Sequence, residues 1–318
     1  MSLIAKLRSP WAGHAAAVGA PLTFRAFAGT DTGRVRSGNE DSVLLCPLGS
    51  SSGPADNLYK EGLLAVLADG MGGSNAGEVA SRMACGSIAS RLTGLRARLG
   101  VLTSTPGRML TEAVVAANRE ILTESQLQPD LRGMGTTCVA LLLQGRHAWM
   151  SYVGDSRLYL ARKGSIYRMT EDHSVVFEMV KRGVLTAEGA HDHPDRNVLS
   201  RALGTKSQVE VSSWEDPFAL EPGDRFLLCS DGLHDLVNDA SLLDTMMQNA
   251  IPESVSQLLA AANARGGYDN ISAIVVEVRG EPGEAPVAGT ERSAPSTPPP
   301  TRTVAPADRS SYATAASF

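Results

Sequence analysis

Cysteine is sparse in this chain and never falls into a Cys-x-x-Cys spacing: Cys46, Cys85, Cys138 and Cys229 each stand inside an apolar segment. That argues against a disulfide framework and for buried free thiols in a reducing, cytoplasmic compartment. Runs of Lys/Arg and basic stripes interleaved with aromatics are also missing. With 29 basic against 34 acidic residues the net charge is −5, so no nucleic-acid partner is expected. No apolar run reaches the length of a transmembrane helix, so no membrane partner is expected either. Lys6 and Arg8 do precede a small-residue run, but Pro10 and His14 interrupt it and Leu is scarce. Residues 1–22 therefore read as a loosely ordered leader rather than a secretory signal.

What is present suffices for a full core: 318 residues, 43% hydrophobic and 20% charged, as in a soluble domain followed by a tail. The organising stretch is LAVLADGMGG, Leu64 to Gly73. An apolar run bounded by glycines reads as a buried strand, and it delivers Asp69 to the rim of a sheet before the chain turns. One Asp-Gly pair alone would be a hairpin turn, but the pattern repeats. Asp231 follows the apolar FLLCS, Asp155 follows WMSYV, and Asp269 stands just before ISAIVVEV. Four carboxylates at strand ends with few bases beside them repel one another unless cations lie between them.

Along the chain, Thr23 to Thr30 and SVLLC are expected strands joined by the polar loop TDTGRVRSGNED, Thr30 to Asp41. Helical spacing marks residues 77–99 and 108–125, with Val79, Met83, Ile88 and Leu92 on one face of the first. GMGTTCVALLL, HAWMSYV, SRLYLAR and SIYRM read as a four-strand antiparallel meander. A polar excursion about residues 172–200 reads as a flap carrying a short helix around 174–182. VEVSSW and RFLLCS are further strands, and helices over 240–249 and 252–264 precede the last strand. The Pro/Ala/Ser/Thr-rich tail, 280–318, has no apolar periodicity and is expected to be disordered. The whole predicts an α+β fold: a four-layer α-β-β-α sandwich, two antiparallel sheets flanked by helices, over residues 23–279.

In order, TDTGRVRSGNED, LADGMGG, GMGTT, VGDSRLYL, CSDGLHD and GGYDNIS cover roughly Phe24 to Val278. Together they resemble the bacterial metal-dependent serine/threonine phosphatases of the protein phosphatase 2C (PPM) family. Carried over residue by residue, the resemblance makes Asp69 the carboxylate bridging two Mn²⁺ or Mg²⁺ ions. The Gly70 carbonyl sits on one ion, and Asp231 and Asp269 complete the other. Asp155 would share a third, weaker ion with Asp231, its plain alternative being a turn residue. Glu40 and Asp41 would hold metal-bound waters, and a water shared by the two cations would attack phosphorus in line. Arg36, four residues before Glu40, would grip the phosphate; Arg34 is the local competitor. Asn39 and Asn270 read as scaffolding of the metal loops.

Where eukaryotic relatives carry a histidine two residues after the bridging aspartate, this chain has Met71. The proton for the leaving group would then come from a metal-bound water or from His173, whose alternative is a packing role. The implied function is hydrolysis of phosphoserine and phosphothreonine on proteins, opposing a bacterial Ser/Thr kinase, by a cytoplasmic monomer. The alternatives are a pseudophosphatase binding scaffold and a partner-switch phosphatase acting on an anti-sigma-factor antagonist.

Overall fold

The structure is a computed structural model that describes residues 22–49, 58–73, 76–96, 105–191, 193–280 and 302–304. The leader and most of the tail lie outside these residues. Strands β1 (Thr23–Asp31), β2 (Asp41–Pro47), β3 (Leu58–Tyr59) and β4 (Leu63–Met71) come first, followed by helices α1 (Ala76–Arg96) and α2 (Pro106–Leu127). Thr105 caps α2 through its hydroxyl and Pro106 fills the first turn, where a missing N–H costs nothing. Next come β5 (Gly135–Thr136), β6 (Cys138–Gln144), β7 (His147–Val153), β8 (Arg157–Arg162) and β9 (Ser165–Arg168). The excursion holds α3 (Val175–Lys181) and a second short helix, α4 (Ala187–His191), that periodicity did not reveal. The chain then forms β10 (Val211–Ala219), β11 (Arg225–Cys229), α5 (Asp231–His234), α6 (Asp239–Gln248), α7 (Ile251–Ala264), β12 (Ile271–Arg279) and β13 (Arg302–Val304).

Two antiparallel sheets face each other, ordered β3-β1-β12-β11-β8-β9 and β13-β10-β7-β6-β4-β2. The continuous apolar run of β4 has a simple reason: both its faces are covered. Leu63, Ala65 and Leu67 enter the core between the sheets, while Leu64, Val66 and Ala68 pack beneath α1 and α2. On β12, Ile274, Val276 and Val278 face the inter-sheet core, and Ile271, Ala273 and Val275 lie in the cluster with α6 and α7. Phe24, Phe226, Tyr152 and Trp214 are fully buried between the sheets, each contributing about 1.5–3 kcal/mol over an exposed position. The expected four-layer sandwich is what forms.

Four local expectations change. β4 does not end at Asp69 but runs on through Gly70 and Met71, which pair with Thr136 and Gly135; the turn begins at Gly72. The four-strand meander is two hairpins in different sheets, β6-β7 in one and β8-β9 in the other. The chain changes sheets at Gly154 to Ser156, which puts Asp155 at the sandwich rim. β10 starts later than VEVSSW suggested and runs to Ala219, its pairing with β7 shifting between Trp214 and Phe218, where Pro217 has no N–H to give. In the segment expected to be without structure, Arg302–Val304 pair with Val211–Ser213.

Candidate metal centre

Asp69 is fixed by its own backbone. Its N–H donates to Thr137 Oγ1 (2.9 Å), and its carbonyl accepts from Thr137 N–H (2.8 Å) and Thr136 Oγ1 (2.8 Å). Directly across the ladder from Asp69 stands Asp41. Gly70 must be glycine: a Cβ there would lie 2.2 Å from the Gly77 carbonyl oxygen and 2.6 Å from that of Glu40. Gly70→Ala is therefore expected to cost a few kcal/mol of stability, on the order of an overpacked core site, measurable as a lowered urea midpoint. An unchanged midpoint would mean that the β4-α1 approach yields easily.

Asn270 acts as a hub for the N-terminal loop. Its Oδ1 accepts from Glu40 N–H (2.8 Å), and its Nδ2 donates to the carbonyls of Thr32 and Gly38 (both 2.9 Å). Asn39 accepts from Asp41 N–H (3.1 Å) and donates to Thr30 Oγ1 (2.7 Å). Both asparagines thus bind loop backbone. Ser230, which the sequence did not single out, donates to Asp41 Oδ2 (2.8 Å) and accepts from Ser272 N–H (3.0 Å).

Arg36, Glu40, Asp69, Gly70, Asp155, Asp231 and Asp269 line one cavity of 550 Å³, with Asp41 buried beside it. Arg34 is not among the lining residues; its N–H is tied to the Gly267 carbonyl. The far wall is the flap's outgoing arm, Asn197 to Ala202, with Thr205 and Lys206. Burial first, then the charges of Asp41, Asp231, Asp155 and Asp269, raises Asp69 well above the ordinary carboxylate range. Asp155 is raised likewise, by burial and then by Asp231 and Asp172. Burial, against hydrogen bonds from Ser272 and Ser230, pushes Asp41 up to about 6, and Asp231 also reaches about 6, burial again leading. Burial also raises Glu40, and Arg36 opposes it.

This donor set fits hard divalent cations. All the donors are oxygens, and among the described residues Asp41 Oδ1 and Asp231 Oδ1 are buried without a hydrogen-bond partner, an arrangement that costs stability unless something positive meets them. No three of the described carboxylates, imidazoles or thiols close on a single point. Asp269 is turned instead to Arg36, whose Nη2 lies 2.6 Å from its Oδ2. Cations of this type keep several waters, so a site need not be closed by protein side chains.

A family model described as protein phosphatase 2C matches residues 55–262. The chain belongs to the protein phosphatase 2C family. It is similar to the serine/threonine protein phosphatase PstP of Mycobacterium tuberculosis, 37% identical over 262 residues, which are 81% of this chain and 45% of that protein. It is also similar to the serine/threonine phosphatase stp of Listeria innocua, 36% identical over 250 residues, 78% of this chain and 93% of that one. The chain thus spans less than half of the mycobacterial relative and nearly all of the other. A solved structure of the PstP catalytic domain in complex with two manganese ions matches with a TM-score of 0.66 and 34% identity, covering 81% of this chain and 100% of that one.

Within this protein phosphatase 2C fold, Met71 lines the cavity, but His173 does not. His173 is buried, and burial followed by the Arg201 charge pushes its imidazole down to about 3. A ring that stays neutral rather than imidazolium at neutral pH, and that has no face on the cavity, is not placed to act as the general acid.

Proposed function

We propose that this chain hydrolyses phosphoserine and phosphothreonine on proteins, using two Mn²⁺ or Mg²⁺ ions and a third, weaker one. The observation that carries this reading is one cavity on which carboxylates from five segments converge, Glu40, Asp69, Asp155, Asp231 and Asp269, with two buried oxygens lacking partners and a guanidinium at the edge. Asp69 would bridge the two ions, with the Gly70 carbonyl on one and Asp231 and Asp269 on the other; Asp155 and Asp231 would hold the third. When bound, the ions supply a nucleophilic water of lowered pKa and offset charge on the phosphoryl oxygens. Glu40 and Asp41 accept hydrogen bonds at the edge of that site.

Arg36 grips the phosphoryl group. Its pair with Asp269 does not stand in the way: the two side chains are 53% and 32% exposed, and such a pair is worth only about 0–1 kcal/mol. Arg36→Ala is expected to raise KM for a phosphopeptide about 10–100-fold, the value of a charge-assisted hydrogen bond. An unchanged KM would assign the phosphate to another group.

The flap sets substrate preference. Its base is pinned by the bridge between Ser174 and Leu199, and its outgoing arm forms the cavity wall. Exchanging residues 175–198 for another member's flap should change phosphopeptide preference and leave Mn²⁺ affinity intact; collapse of metal affinity would make the flap part of the ion site. The substrates are phosphoproteins of a cognate Ser/Thr kinase, and the enzyme works as a cytoplasmic monomer; its four cysteines are free, and no described helix is long and apolar enough to cross a membrane. The direct test is Mn²⁺-dependent release of phosphate from phosphoserine and phosphothreonine peptides, paired with calorimetric Mn²⁺ titration. Failure to bind Mn²⁺ at millimolar concentration would favour a binding scaffold.

A further inference from the structure

The turn that carries Asp155 belongs to neither sheet. β7 ends at Val153 in one sheet and β8 begins at Arg157 in the other, so residues 154–156 have no ladder to fix them. Gly154 sits at φ +106°, where a Cβ would also meet Thr137 Cβ at 2.6 Å. Two imidazoles from other parts of the chain grip this turn. On one side, His173 Nδ1 accepts from Gly154 N–H (3.1 Å) and His173 N–H donates to the Gly154 carbonyl (2.9 Å). On the other, His234 Nε2 lies 3.2 Å from the Asp155 carbonyl oxygen. A carbonyl only accepts, so His234 carries a proton on Nε2.

Each ring is itself held in place. His173 stacks on Tyr152, with centroids 4.9 Å apart and planes at 12°. Because its Nδ1 accepts, its Nε2 carries the proton, and that atom meets Ser212 Oγ at 3.0 Å. The His234 side chain is 3% exposed and is held by burial: its Nδ1 lies 3.0 Å from Asp235 Oδ1 without forming a hydrogen bond. It also ends the helix that Asp231 begins, so a single turn of helix links Asp231 to the backbone of Asp155. Neither histidine lines the cavity.

We propose that His173 and His234 are positioning residues that aim the Asp155 carboxylate at the third cation, which rests on the reading of Asp155 as a ligand. Partners behind metal ligands typically change affinity about 10–100-fold when removed. The two rings use different nitrogens, and this gives a test that packing alone would not pass. Asn can present an acceptor where Nδ1 stands, and Gln a donor where Nε2 stands.

The experiment is calorimetric titration of the full chain with Mn²⁺, with folding of each variant checked by circular dichroism. The wild type should show a weak event beyond the tight ones, absent in Asp155→Asn. His173→Asn and His234→Gln should keep the weak event. His173→Gln and His234→Asn should weaken it about 10–100-fold while the tight events stay. An unchanged titration in Asp155→Asn would overturn the ligand reading and the proposal with it. Loss of the weak event in Asp155→Asn, with no difference between the Asn and Gln forms at both histidines, would overturn the histidine assignment alone. If one variant fails to fold, the pair at the other histidine decides.

Discussion

Asp69→Asn is expected to abolish Mn²⁺-dependent phosphatase turnover, a loss of at least about 10³-fold, the scale seen when one charge-stabilising element is removed from an active site. The substitution keeps the shape of the side chain. The backbone that fixes residue 69, through Thr136 and Thr137, does not involve the carboxylate, so the fold should survive. What is lost is a negative oxygen that four other acids act on: Asp41, Asp231, Asp155 and Asp269 each raise Asp69 electrostatically. An amide cannot bridge two cations as a carboxylate does. The check is phosphate release from a phosphopeptide together with Mn²⁺ calorimetry. Turnover within tenfold of wild type would remove Asp69 from the centre of the site and the proposed chemistry with it. Asp231→Asn should behave in the same way.

The second large effect is on stability, and its sign is unusual. Asp41 and Asp231 have folded-state pKa values raised to about 6 from the ordinary 3.8, burial being the main cause. A raised carboxylate pKa means that the folded protein binds protons that the unfolded chain does not, so stability falls as pH rises between these values. In EDTA the protein should therefore become more stable when acidified from pH 7 to 5, by on the order of 5 °C in Tm if the net gain is a couple of kcal/mol. The Arg157-Asp172 pair does not offset this, because hydrogen bonds and charge from Arg157 hold Asp172 down at about 2 despite its burial. His173, held down at about 3 by burial, gains its proton only on unfolding over this interval and opposes part of the gain. With saturating Mn²⁺ the trend should reverse, since cations bind only the ionised carboxylates and lose them on acidification. Thermal unfolding at the two pH values, with EDTA and with Mn²⁺, reads both slopes. A chelated protein that loses stability over the same interval would mean that these acids carry no such strain.

Much of this was legible in the sequence because it was repeated. An apolar strand followed by an acid occurs at Asp69, Asp155 and Asp231, and the covering of both faces of β4 leaves a plain mark, a run without polar breaks. The long helices came through by periodicity. What could not be read locally depends on partners far away in the chain. Nothing near Asp69 says that the strand will run two residues further, since its partner there is Gly135–Thr136. The hairpins look continuous in sequence because a sheet change costs only three residues, 154–156. Thr136, Thr137 and Ser230 passed as ordinary strand and turn residues; their hydrogen bonds to Asp69 and Asp41 span 67 to 189 residues. For these the only local signal was polarity beside a strand end, which many surface residues share.

In the six-stranded sheet the last long strand of the domain, β12, is inserted between β1, the first, and β11. A nascent polypeptide cannot close that sheet until residue 279 has left the ribosome, and the loop of Asp269 and Asn270 arrives only then. Formation of so distant a contact is slow compared with local helix formation. The sheet, and with it the cavity that Asp269 lines, can therefore assemble only after residue 279 has emerged, and a message truncated even slightly ahead of β12 would encode an unclosed, aggregation-prone product.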